Sequence, residues 1–144
     1  IWRLSIMATL KTNTLTGTST AGSIAVTGEG NSTTTNLQQG LVKCFINQSN
    51  GQTTRDSFNV GSLTDSGLGD YKTNFTNNFG NNDYVASGCS ATLGTAVTVF
   101  WVAAESDYTT SDCEIKTLYV SNLDGGGTNR DSDLVNVSYS GDLA

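Results

Sequence analysis

Asp65 and Asp70 flank a glycine-rich stretch, Thr64-Asp65-Ser66-Gly67-Leu68-Gly69-Asp70. Two carboxylates near one another are the equipment of glycoside hydrolysis. A turn accounts for the same residues, because Asp and Gly tolerate tight backbone angles and Asp carboxylates accept hydrogen bonds from nearby amides. The turn is the reading carried forward. The chain has no histidine, so neither a Ser-His-Asp nor a Cys-His arrangement can be built. No catalytic residue is expected. Asp124, Asp131 and Asp133 surround a second glycine-rich loop and could be offered as calcium ligands. They lack the alternating Asp/Asn ligands and closing Glu of an EF-hand loop, so a solvated acidic loop is expected, with no metal and no cofactor. Arg55 and Asp56 are expected as a salt bridge in a turn.

The three cysteines, Cys44, Cys89 and Cys113, lie far apart without CxxC spacing. An odd count in a chain of this length does not form a disulfide framework. Buried thiols serving as small apolar residues are expected, with one disulfide plus a free thiol as the alternative. Zinc is disfavoured for want of histidine. Among aromatic residues, Trp101 beside Phe100 is assigned to the core or a subunit interface. Tyr108, in the polar loop at 105–111, is the candidate binding residue. A ring there can stack on a sugar face or anchor a protein contact, and its alternative is to fold back onto the domain.

The elements that must position these residues follow from composition. Only 36% of the 144 residues are hydrophobic and 14% charged, so Thr, Ser, Asn and Gly supply most of the polarity. Thr suits a pleated strand, while Asn, Gly and Ser suit turns. No apolar spacing of helical period is sustained. The fold class is all-β. Net charge is −6 and the seven basic residues are scattered, which argues against a nucleic-acid partner. No apolar run approaches a membrane-spanning length. Residues 1–6 are too short for the apolar region of an export signal. They precede a plausible start at Met7, and an internal piece of a longer chain fits equally well.

The sequence changes character near Gly40. Residues 1–40 form an extended leader, in which Leu10, Leu15, Ile24, Val26 and Leu37 are separated by Thr, Ser and Gly. Such a segment buries too little apolar surface to offset its ordering entropy. It is expected to order only against another chain, with Leu10, Leu15, Ile24 and Val26 as oligomerisation residues, or to remain a disordered tail. Residues 33–36 have linker composition. From residue 41 strand signals recur about every 10 to 15 residues. They lie at 41–46, 57–63, 71–75, 84–89, 96–102, 113–120 and 134–139, with turns at 47–51, 64–70 and 77–82. The stretch 96–102 is the most hydrophobic and is expected to be a buried central strand. About seven strands suit an antiparallel β-sandwich over residues 41–144.

The stretch from Arg55 through Ser57-Phe58-Asn59-Val60, the turn Thr64-Asp65-Ser66-Gly67-Leu68-Gly69-Asp70-Tyr71, Asn74-Phe75 and Tyr84-Val85 resembles a known module. The module lies near the C-terminus of tail-fibre-like and appendage proteins of marine and cyanobacterial phages. Cys44-Phe45 stands where that family often has Ala-Trp. Residues 10–31 are similar to short leaders on the same proteins, and the resemblance covers most of residues 9–100. It implies a virion component, assembled in the host cytoplasm, whose partners are other virion proteins and copies of itself. The phage fibres it resembles are usually three-fold, which implies a homotrimer. A tail or neck fibre subunit is the leading expectation. The alternatives are a capsid decoration protein, or a receptor-binding tip recognising host-surface glycan.

Overall fold

A computed structural model describes residues 10–19, 24–27, 34–37, 40–49, 53–93, 97–101, 104–120 and 127–144. The chain divides into two compact units, Ile1–Gln38 and Gln39–Ala144.

In the first unit, β1 (Ala25–Thr27) and β2 (Thr34–Asn36) form an antiparallel hairpin. Val26 pairs with Thr35, and the Leu37 amide closes the ladder onto the Ile24 carbonyl at 2.8 Å. The leader is therefore not extended throughout. The Thr-rich residues expected as a linker supply a strand, because β-branched side chains favour the pleated backbone. The segment at 10–19 has no regular ladder.

The second unit is an antiparallel β-sandwich. One sheet has four strands in the order β4 (Thr53–Phe58), β3 (Cys44–Ser49), β11 (Leu134–Ser140), β7 (Val85–Ala91). The other has five: β10 (Gly127–Asn129), β9 (Asp112–Val120), β6 (Asp70–Phe75) and β5 (Val60–Gly67) are hydrogen-bonded each to the next, and β8 (Val97–Trp101) also pairs with β9. The strand total among the described residues is eleven rather than about seven. Two of the extra strands form the leader hairpin. Two more arise where continuous stretches are split or extended: β4 separates from β5, and β10 forms at the end of the glycine loop.

Alternation builds the core. Buried and half-buried residues take turns along β3, β6 and β11, so Cys44, Ile46 and Gln48 face inward with Tyr71, Thr73 and Phe75, and with Val135, Val137 and Tyr139. β9 adds Cys113, Ile115 and Thr117, with Leu118 also buried. Each large apolar side chain removed from water here contributes about 1.5–3 kcal/mol. The two sheets are joined by a buried hydrogen bond, Tyr139 Oη donating to Thr73 Oγ1 at 3.1 Å. At one end of the sandwich five rings cluster. Phe75 meets Phe79, Tyr84 and Tyr139 at centroid distances of 4.9, 5.7 and 5.2 Å, and Tyr108 lies 5.2 Å from Tyr84. Phe79 is fully buried although its neighbours read as a simple turn. The backbone explains this: the Phe79 amide bonds Thr110 O and the Gly80 amide bonds Asp142 O, which folds the 76–84 loop over the core.

Three further expectations are corrected. Among the described residues, 97–101 form an edge strand, not a central one, and Val99 is 39% exposed. Strand β5 runs through most of the stretch expected as a turn, leaving only Leu68 and Gly69 to link Gly67 with its partner Asp70. The single strand expected at 57–63 is broken at Asn59, which adopts a φ of 60° and passes the chain from one sheet to the other. The Asn59 carboxamide holds that crossing by accepting from the Asn77 amide at 2.7 Å and donating to Asn77 O at 3.0 Å.

Candidate functional site

The two outer faces of the sandwich differ in chemistry. On the five-stranded sheet, cross-strand register sets Asp70 beside Lys116, Lys72 beside Glu114 and Asn74 beside Asp112. Lys116 Nζ reaches Asp70 at 2.9 Å and Glu114 at 3.4 Å, while Lys72 lies 3.7 Å from Glu114 and 3.8 Å from Asp112. The Lys116 ammonium is pushed above its ordinary value, first by the hydrogen bond to Asp70. Asn74 Nδ2 donates to Thr64 Oγ1 and Ser62 Oγ, and Ser66 Oγ donates to Glu114. This face satisfies its own polar groups.

The outer face of the four-stranded sheet carries an open groove of about 570 Å3. Its floor is two rows running across the strands. Asp56, Asn47, Asn136 and Cys89 form one row, and Phe45, Ser138 and Ser87 the next, with Phe58 beside the groove as the cross-strand partner of Phe45. Each row follows from period-two alternation: the residues between them on β3 and β11 point into the core. Phe45 and Phe58 stack with centroids 6.3 Å apart and planes inclined by 27°, and Phe58 is 54% exposed. Ser87 and Ser138 hydroxyls lie 3.2 Å apart. Asn136 Nδ2 donates to Cys89 Sγ at 3.8 Å. The Oδ1 atoms of Asn47 and Asn136 are shielded from solvent and have no hydrogen-bond partner among the described residues.

The residues singled out from sequence are dispersed. Asp65 accepts from the Gly67 amide at 3.0 Å, and Asp70 is held by Lys116, so the two carboxylates work locally rather than as a pair. Asp131 accepts from the Gly69 amide at 2.8 Å and from Tyr71 Oη at 3.1 Å. Asp133 accepts from the Leu93 amide at 2.7 Å. These two carboxylates anchor different loops, and Asp124 lies outside the described residues. Among the described residues no cluster of His, Cys, Asp or Glu could hold a metal ion.

Arg55 and Asp56 lie on strand β4 where its register with β3 shifts, Asp56 pairing with Asn47 and Thr54 with Gln48, and no ion pair joins them. Asp56 instead accepts from the Ser57 amide at 2.9 Å. Tyr108 is half-buried against Tyr84 and bridges Cys113 through its backbone. Burial pushes its phenol above the ordinary value. Its ring is folded back rather than presented outward. The side chains of Phe100 and Trp101 lie outside the described part of the molecule.

Cys44, Cys89 and Cys113 are all free. Burial pushes the Cys44 and Cys113 thiols up to about 12, which keeps them protonated and inert as nucleophiles. Of the leader residues, Leu10, Leu15 and Val26 are 77%, 53% and 51% exposed, and Ile24 is half-buried.

The chain matches no protein-family model, no curated relative and no solved structure. The groove therefore has to be interpreted from its own residues. Sequence reasoning missed it. The signal present was the set of outward positions, Phe45 and Asn47 alternating with Cys44, Ile46 and Gln48, and Asn136 and Ser138 alternating with Val135, Val137 and Tyr139. Bringing those two sets side by side requires the β3–β11 register, which links residues nearly ninety positions apart.

Proposed function

We propose that this chain is a non-catalytic structural subunit of a phage virion appendage, a tail or neck fibre that assembles as a homotrimer. The observation that carries the reading is the leader unit. Leu10, Leu15 and Val26 remain exposed on a segment whose hairpin strands are three residues long. A two-stranded hairpin is marginal in water without further packing. Apolar side chains displayed on a Thr-rich hairpin suit burial against the same residues of neighbouring copies, and closed rotational symmetry also shields strand edges. The resemblance of most of residues 9–100 to phage appendage modules supplies the virion context and the three-fold symmetry.

Light scattering on the full chain and on residues 39–144 tests the assembly. The full chain is expected to be trimeric and the truncated sandwich monomeric. A full chain that stays monomeric at high concentration sinks the trimer, and a truncated trimer moves the assembly surface to the sandwich. Immunogold labelling of particles tests the location: label on the tail or neck supports a fibre, and label over the shell overturns it.

A further inference from the structure

We propose that the groove on the outer face of the β4–β3–β11–β7 sheet is a carbohydrate site that takes a short neutral oligosaccharide. Charge argues first. Among the residues lining the groove, Asp56 alone is charged and none is basic. An anionic ligand such as a nucleic acid or phosphoglycan would find no cation to meet it. The opposite face of the sandwich concentrates its charges and pairs them internally.

The rings argue next. Phe45 and Phe58 present a stacked, partly exposed aromatic platform on neighbouring strands. The face of an aromatic ring is its electron-rich side, and it attracts the weakly positive C–H groups that line one face of a pyranose. Two rings are too little apolar surface for the desolvated centre of a stable protein interface. They are enough for one or two sugars.

The polar groups complete the match. The Asn47 and Asn136 carboxamides stand opposite one another in the ladder, and each has an oxygen without a partner among the described residues. An unpaired, shielded acceptor is costly, and the terminal amide torsion is roughly two-fold, so rotation brings the oxygen up to a ligand in the groove. A sugar hydroxyl, both donor and acceptor, satisfies either orientation. Ser87 and Ser138 add hydroxyls on the adjacent row. The groove volume of about 570 Å3 falls in the range of small-ligand sites. Because all these side chains sit on paired strands rather than loops, little ordering is required on binding.

The proposal depends on this geometry alone and stands wherever on a particle the chain resides. Its test is a glycan microarray of neutral and acidic oligosaccharides probed with the full chain, followed by calorimetric titration of the strongest neutral ligand. Phe58→Ala and Asn136→Ala are expected to weaken binding about tenfold or more, the scale of one lost ligand hydrogen bond or stacking contact. Lys72→Ala, on the opposite face, is expected to bind as the unaltered chain does. Should Asn136→Ala fail to fold, the side-chain amide resonances of Asn47 and Asn136 in the unaltered chain give the same answer, and they are expected to shift on titration. The proposal is overturned if only acidic glycans or none are retained, if the groove variants bind undiminished, or if those resonances stay still. It also fails if Phe58→Ala changes the oligomeric state while no glycan binds, since a second copy would then occupy the groove.

Discussion

At the scale of single residues, Gly69 shows how one position fixes the geometry around it. It has a φ of 73°, in the left-handed region where a Cβ is strained. A Cβ there would lie 2.5 Å from Thr117 O and 2.7 Å from Arg130 N. Both contacts are backbone, at the point where β9 changes neighbour from β6 to β10: the Thr117 amide bonds Gly69 O, and Thr117 O accepts from the Arg130 amide. The Asp131 carboxylate receives the Gly69 amide itself. Neither the angle nor the space allows a side chain. Gly69→Ala is therefore expected to destabilise the sandwich by on the order of 2 kcal/mol or more. Gly67 provides the comparison, because its φ of 145° is also positive but its Cβ would meet nothing within 4 Å. Chemical denaturation of the two alanine variants checks this, and a Gly69→Ala midpoint no lower than that of Gly67→Ala would contradict the clash.

At the scale of elements, the sequence reading succeeded where alternation was local and failed where neighbours decided. Tyr71, Thr73 and Phe75 against Lys72 and Asn74 were legible as one strand with an inner and an outer face. The strand at 134–139 was placed as well, and it alternates in the same way. Hydrophobicity misled at residues 97–101, since an apolar β-branched run suits any strand and does not reveal how many partners it has. Among the described residues β8 pairs only with β9. Phe79 was missed for the opposite reason: a lone ring among Asn and Gly has no periodicity to betray it. The groove was invisible because its rows exist only once four strands are in register. A consequence is that Val99→Asp, at a half-exposed edge position, is expected to fold and remain soluble. Charges on edge strands even discourage unwanted pairing. Insoluble expression of that variant, with the unaltered chain soluble, would return Val99 to the interior.

At the scale of the whole molecule, the sandwich core is rich in groups that can lose a proton. Cys44, Cys113, Tyr71, Tyr84 and Tyr139 all lie in it, with Tyr108 packed against them. Burial is the largest cause of an upward shift for every one of these thiols and phenols. Burial disfavours their ionised forms, so the folded state holds the proton longer than the unfolded chain does. The unfolded chain binds fewer protons once pH passes the ordinary thiol and phenol values, and stability must then fall as pH rises. For Cys44 the window opens near the ordinary value of 9.0 and extends to about 12. Its contribution is fully present below that window. The melting temperature is accordingly expected to hold steady up to about pH 9 and then decline steeply, with phenolate absorbance from Tyr71, Tyr84, Tyr108 and Tyr139 appearing together with unfolding rather than before it. Thermal melts followed by circular dichroism across that range, with parallel ultraviolet titration, provide the measurement. Phenolate absorbance from most of the tyrosines at a pH where the β-sheet signal is still intact would show these rings to be solvated, and the inter-sheet core built around Tyr139 would have to be redrawn.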